Sequence, residues 1–119
     1  MSVPRISKED LKQRIDAGQA PIIVDVRLKY AYAHSTLTLP GARRVAPADV
    51  SDAKLPADQD VVLYDSDPHD VVAVQAAGTL RARGLRVMVL AGGLPGWVAA
   101  NLPTDTKDVP KAPPAPAKA

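Results

Sequence analysis

Six residues, Asp65-Ser66-Asp67-Pro68-His69-Asp70, separate an apolar run, Val61-Val62-Leu63-Tyr64, from a helical pattern that runs from Val71 to Arg83. A loop between a strand's end and a helix's start gathers backbone N–H groups at the helix's positive end, which suits an anion or an activated nucleophile. A cysteine at the first position would be held there as a thiolate. The chain has no cysteine, and that position is Asp65. Two other chemistries fit the residue types. Asp65, Asp67 and Asp70 with His69 offer hard oxygens and an imidazole to a divalent metal ion, although the helix's positive end opposes a cation. The structural alternative makes Asp67 an N-cap, puts Pro68 in the first helical position and lets Asp70 complete a capping box.

The elements that must position this loop follow from the apolar pattern. Pro21-Ile22-Ile23-Val24-Asp25-Val26-Arg27 and Val87-Met88-Val89-Leu90, like Val61–Tyr64, are continuous apolar runs of strand length, as in a parallel sheet buried on both faces. Ser7-Lys8-Glu9-Asp10 is a capping-box-like helix start with Gly18 at its stop, and Lys29 to His34 fits a short helix. Leu37-Thr38-Leu39-Pro40-Gly41 reads as a turn, Ala42 to Val45 as a short strand, and Pro47 to Leu55 as a connection with one helical turn. Within the long helix Ala73, Ala76, Ala77 and Leu80 share a face, and Gly84 ends it. Gly92 and Gly93 supply unusual backbone angles before a short helix that seats Trp97 on the core. Strands alternating with helices give an α/β fold.

The chain of 119 residues is one domain with little aromatic content, 3%, and no Phe, so Val, Leu, Ile and Ala build the core. A net charge of +2 without a basic run leaves no footprint for nucleic acid. No apolar stretch approaches a membrane span, and the N-terminus lacks a signal-peptide pattern, so a cytoplasmic location with no membrane partner is expected. Residues 1–103 are assigned to the domain. Residues 104–119, rich in Pro, Ala and Lys, are read as a flexible tail, solvated or a linker.

Three segments in this order carry a resemblance. Ile23-Val24-Asp25-Val26-Arg27, Leu39-Pro40-Gly41-Ala42 and Leu90-Ala91-Gly92-Gly93-Leu94-Pro95-Gly96-Trp97, the last followed by Asn101-Leu102-Pro103, are similar to signature segments of the rhodanese-like (sulfurtransferase) domain. The resemblance covers roughly residues 5 to 103. It implies a three-layer α/β fold, a five-stranded parallel sheet with helices on both sides, and an active-site loop after Val61–Tyr64. Asp65 falls where the family carries its persulfide-forming cysteine. The loop is longer than the common single-cysteine form and resembles a variant reading Cys-x-Cys-Pro-Asn-Glu. Against that variant Asp65 and Asp67 replace both cysteines, and Val71 or Val72 stands where many members place a cation.

A carboxylate cannot hold sulfane sulfur as a persulfide, and three loop carboxylates repel thiosulfate-like anions. The expectation is therefore an inactive sulfurtransferase homologue whose loop Asp65, Ser66, Asp67, Pro68, His69, Asp70 is vestigial. Neither cofactor nor metal is expected, and a protein partner or small ligand would occupy the old cleft. Asp25 and Arg27 are expected to form an internal ion pair with a structural role, alongside Gly92, Gly93 and Trp97. His34 reads as a satisfied turn histidine, and Tyr30 and Tyr32 as packing residues. Two enzymatic alternatives are a sulfurtransferase-related enzyme borrowing a partner's thiol and a metal-dependent hydrolase using Asp65, Asp67 and Asp70. An Asp-x-Asp after a strand is also similar to haloacid-dehalogenase-type phosphotransferases, whose downstream lysine and acidic pair cannot be placed here.

Overall fold

The computed structural model describes residues 3–67 and 69–106. Helix α1 (Lys8–Asp16) starts where the capping pattern put it, with Ser7 Oγ accepting from the Asp10 amide at 3.0 Å, and Gly18 follows it at φ +73°. The three apolar runs become β2 (Ile22–Asp25), β5 (Asp60–Tyr64) and β6 (Arg86–Leu90), the inner strands of a five-stranded sheet. Its edges are two-residue strands, β1 (Arg5–Ile6) and β4 (Arg43–Arg44), in the order β1-β6-β5-β2-β4. Every pairing in this sheet is parallel, with Ile22 opposite Val61 and Val61 opposite Val87.

Both faces of the sheet are covered, which is why the inner strands are apolar throughout instead of alternating. On one face Val61, Leu63, Val87 and Val89 pack on Ala73, Ala76, Ala77 and Leu80 of α3 (Val71–Ala82) and on Val50 of a 3-10 segment (Pro47–Asp52). The alanines let the helix lie close to the strands. On the other face Val62, Tyr64 and Leu90 pack with Leu11 of α1 and with Leu94 and Trp97 of α4 (Gly93–Ala99). Trp97 is fully buried, and its indole N–H donates to the Pro103 carbonyl at 2.7 Å. The remaining helix, α2 (Lys29–Ala33), bridges β2 to the turn before β4.

A second, antiparallel pair lies outside the sequence reading. Strand β3 (Leu37–Thr38), expected as part of a turn, pairs with β7 (Asp105–Thr106), with Thr38 opposite Asp105. The Asp105 carboxylate also accepts from the Gly41 amide at 2.9 Å. Asp105 and Thr106, at the start of the segment read as a tail, are thus paired with the domain. The reason is non-local, since the partner of β7 lies more than sixty residues upstream. Residues 107–119 of the expected tail lie outside the described residues. Among the described residues no helix is long and apolar enough to cross a membrane.

Gly93 fixes how α4 meets the end of β5. The Leu94 amide donates to the Asp65 carbonyl at 2.9 Å, and a Cβ at Gly93 would stand 2.4 Å from that same oxygen. Gly93 also has φ +57°. Gly18 has a similar φ of +73° but open space around it. Gly93→Ala should therefore cost about 3 kcal/mol or more in urea unfolding, whereas Gly18→Ala should cost only about 1 kcal/mol. Equal losses would show that backbone angle alone, and not the approach to Asp65, sets the requirement.

Candidate functional site

Asp65 stands at the C-terminal end of β5, 1% exposed, and its carboxylate is consumed by the loop itself. Oδ1 accepts from the Asp67 amide at 3.0 Å and Oδ2 from the Ala73 amide at 2.7 Å. Ala73 is the third residue of α3, whose N–H an N-cap side chain would otherwise take. The helix is therefore capped from the strand before it. Burial pushes the Asp65 carboxyl above its ordinary range. The amides of Ala73 and Asp67 oppose that rise, and the charges of Asp70 and Asp67 add to it.

This arrangement corrects the expected capping roles. Helix α3 begins at Val71, so Asp67 is not its N-cap. Asp67 Oδ1 accepts from the His69 amide at 2.6 Å, while its carbonyl accepts from the Asp70 amide at 3.0 Å, closing a tight turn ahead of the helix. The contact to the His69 amide belongs to that turn and not to a helix cap. Asp70 does not complete a capping box either. It is the residue preceding α3, at φ +60°, and its buried carboxylate faces the other side of the loop. Asp70 Oδ2 accepts from Arg5 Nη1 at 2.5 Å and from the Gly92 amide at 3.2 Å, whereas Oδ1 is buried without a hydrogen-bond partner. Pro68 lies outside the described residues, Ser66 is half-buried and His69 is exposed.

The three carboxylates are thus each engaged by a different set of partners. Among the described residues no group of three or more His, Asp or Glu is placed to hold a metal ion. The metal-dependent alternative lacks a ligand set there.

Beside the loop lies a cleft of about 290 Å3, lined by Leu28, Ala31, Asp65, Ser66, Asp67 and Val72. Among the described residues no basic side chain lines it. A larger depression of about 500 Å3 between α1 and Met88 carries Arg5 and Arg14, but Arg5 is engaged by Asp70 and Arg14 by Asp60 at 3.3 Å.

Asp25 and Arg27 form the internal ion pair expected of them, fully buried, with Nη2 to Oδ2 at 2.6 Å and Nε to both oxygens at 3.0 Å. Arg27 also donates to the Leu37 carbonyl at 3.0 Å. Tyr64 OH donates to Asp25 Oδ2 at 3.0 Å and accepts from the Leu39 amide at 3.3 Å. Arg44 Nη1 donates to the Arg27 carbonyl at 2.7 Å, and its guanidinium lies 4.1 Å from the Tyr32 ring centroid. Burial works against the charge of Arg27, but Asp25 offsets it and the pKa rises. Burial, then the charge of Asp25, pushes the Tyr64 phenol upward as well. Asp25, Arg27 and Tyr64 are fully buried, so the network holds the strand ends beside the loop. Tyr32 packs as expected. Tyr30 is 80% exposed and stacks on His34, whose Nδ1 lies 2.9 Å from the Tyr30 carbonyl oxygen.

Arg5, Tyr64 and Arg44 were not singled out from the sequence. Arg5 sits in a two-residue strand too short to show periodicity. The alternation that puts Tyr64 on the same face as Val62 was the available signal for the tyrosine.

The family model of the rhodanese-like domain matches residues 7–100, and the chain belongs to that family. It is 33% identical over 102 residues to the HTH-type transcriptional regulator Rv0324 of Mycobacterium tuberculosis, covering 84% of this chain and 44% of the regulator. The chain therefore spans less than half the length of that curated relative. A full-length protein from Lactobacillus plantarum superposes with a TM-score of 0.78 at 23% identity, covering 86% of this chain and 87% of the other. The rhodanese-like domain protein of Staphylococcus aureus gives 0.69 at 18% identity, covering 80% and 91%. Both structures share the fold. This member has no cysteine.

Asp65→Asn tests the cap. An amide replaces one acceptor by a donor, so one of the two N–H groups loses its partner, and stability at neutral pH should fall by about 1–3 kcal/mol. The pH dependence has a defined sign. A carboxyl whose pKa is raised in the folded state binds protons more readily there than in the unfolded chain. Wild-type stability should therefore fall as pH rises from the ordinary aspartate range to the raised folded value, and then level off. The advantage of wild type over Asp65→Asn should shrink across that window in parallel urea titrations. An advantage that grows with pH would reverse the assignment.

Proposed function

We propose that this rhodanese-like domain carries out no sulfur transfer and serves as a binding or regulatory module. The observation behind it is that the chain has no cysteine, and that the residue expected at the nucleophile's position is a carboxylate bound by the amides of Asp67 and Ala73. Sulfur transfer requires a thiolate that attacks the outer sulfur of the donor, expels sulfite from thiosulfate, and then surrenders the sulfur to an acceptor. Asp65 has no such chemistry, and the amides that could steady an incoming anion are already used. Val72 borders the cleft where a cation would be needed to receive the donor.

A regulatory role draws support from the relative that bears the name of a transcriptional regulator, of which this chain matches 44%. A domain of this kind would report on a bound partner or ligand to whatever is joined to it. That relationship also favours a cytoplasmic setting.

Thiocyanate formation from thiosulfate and cyanide tests the reading directly. The wild-type chain should not exceed the no-protein background. Asp65→Cys alone should stay near background, because Asp67 would raise the new thiol's pKa and repel the donor. Asp70 should be left alone, since it anchors Arg5 and Gly92. The cation belongs at Val72. Asp65→Cys/Asp67→Ser/Val72→Arg should exceed the single variant by about tenfold, the scale of 1–2 pKa units of thiol activation. Turnover by the unmodified chain would overturn the proposal.

A further inference from the structure

The cleft beside Asp65 differs in charge from a site made to receive an anionic sulfur donor. Arg5 neutralises Asp70 on the far side of the loop, at 2.5 Å. Among the described residues no basic side chain stands against Asp65 and Asp67 in the cleft. The start of α3 returns only about half an elementary charge, and Asp65 already engages it. Asp67, with Asp65 buried behind it, therefore leaves the cleft lining net negative. His69 follows in the loop and Lys29 follows Leu28, but neither lines the cleft.

Leu28, Ala31 and Val72 supply the apolar part of the lining, and Leu28 is 57% exposed although it borders a concave surface. Val71, the neighbour of Val72, is also exposed, at 47%. Large apolar side chains left open beside a depression mark a contact surface more often than scattered ones do. At about 290 Å3 the cleft lies at the low end of small-molecule sites, with room for a side chain.

A negative charge beside apolar side chains matches an amphipathic cation, whose methylene stem lies on apolar surface while its head reaches a carboxylate. We propose that the cleft seats a lysine or arginine side chain, flanked by an apolar residue, from an extended segment of a protein partner. The stem would lie against Leu28 and Val72 and the head would meet Asp67, with arginine preferred for its two-pronged geometry. This rests on the reading of the chain as a binding module and names the chemistry of its partner.

The test uses the full chain, labelled with nitrogen-15, and two capped tripeptides, Ac-Leu-Arg-Leu-NH2 and Ac-Leu-Glu-Leu-NH2. The arginine peptide should shift the amide signals of Ala31, Ser66, Asp67 and Val72 saturably, and less so in high salt, while the glutamate peptide should leave them in place. Asp67→Asn keeps an acceptor oxygen for the His69 amide and so keeps the turn, yet should weaken binding about fivefold. Val72→Lys places a cation in the cleft and should weaken it at least as much, with an unchanged melting temperature. Equal shifts from both peptides, shifts confined to another face, or full binding by Asp67→Asn would overturn the proposal. So would concentration-dependent dimerisation through the cleft that the arginine peptide does not disturb, which would assign it to a second copy. Peptide failure with a silent thiocyanate assay removes only the cationic partner, whereas turnover in that assay removes the binding-module reading beneath it.

Discussion

The contact on which the loop's geometry turns is the one between the Asp65 carboxylate and the Ala73 amide. It ties the end of the central strand to the first turn of the helix that covers the sheet, across eight residues of chain. Through its other oxygen the same carboxylate holds the Asp67 amide, and through its backbone carbonyl Asp65 receives the Leu94 amide at the start of α4. One residue thereby joins a strand, the helix on one face and the helix on the other. An anion at this place is favoured by the helix's positive end and disfavoured by loss of water, and the raised pKa indicates that the second effect outweighs the first. The carboxylate is thus held in place by its hydrogen bonds against the cost of its burial.

Asp70 and Arg5 complete the arrangement from the opposite side. A left-handed backbone at a non-glycine residue has a cost, and a buried carboxylate has a larger one. Both are tolerated because the Arg5 guanidinium and the Gly92 amide converge on the same oxygen. This links the N-terminal strand to the loop and to the Gly92-Gly93 turn. The Asp25–Arg27–Tyr64 network does comparable work one strand over, where a fully buried ion pair survives because its hydrogen-bonding capacity is taken up by Tyr64, Leu37 and the backbone.

Much of the fold was legible in the sequence because it is written locally. Continuous apolar runs with both faces buried identified β2, β5 and β6, Ser7 and Asp10 identified the start of α1, and Gly84 the end of α3. What escaped was written over long separations. Strands β1, β3 and β7 have two residues each and exist only through partners far away in the chain, so no window of sequence displays them. The cap of α3 was misassigned for the same reason. Asp67 is the local candidate by spacing, but Asp65 reaches the amide first because β5 delivers it there. Asp25 and Arg27 were recognisable as a pair, whereas Tyr64 and Arg44, which complete their surroundings, come from other strands.

The short outer strands of the main sheet bear on how the molecule behaves in a crowd of its own copies. A parallel sheet that ended on a long, flat strand would display a row of unsatisfied N–H and C=O groups able to recruit another chain by simple extension. Here each border is two residues long and carries arginine: Arg5 on one side, Arg43 and Arg44 on the other. So brief a ladder offers too few groups for a foreign strand to zip onto, and like charges would meet if two such borders approached. The same brevity that hid these strands from the sequence guards the sheet against growing past its own edges.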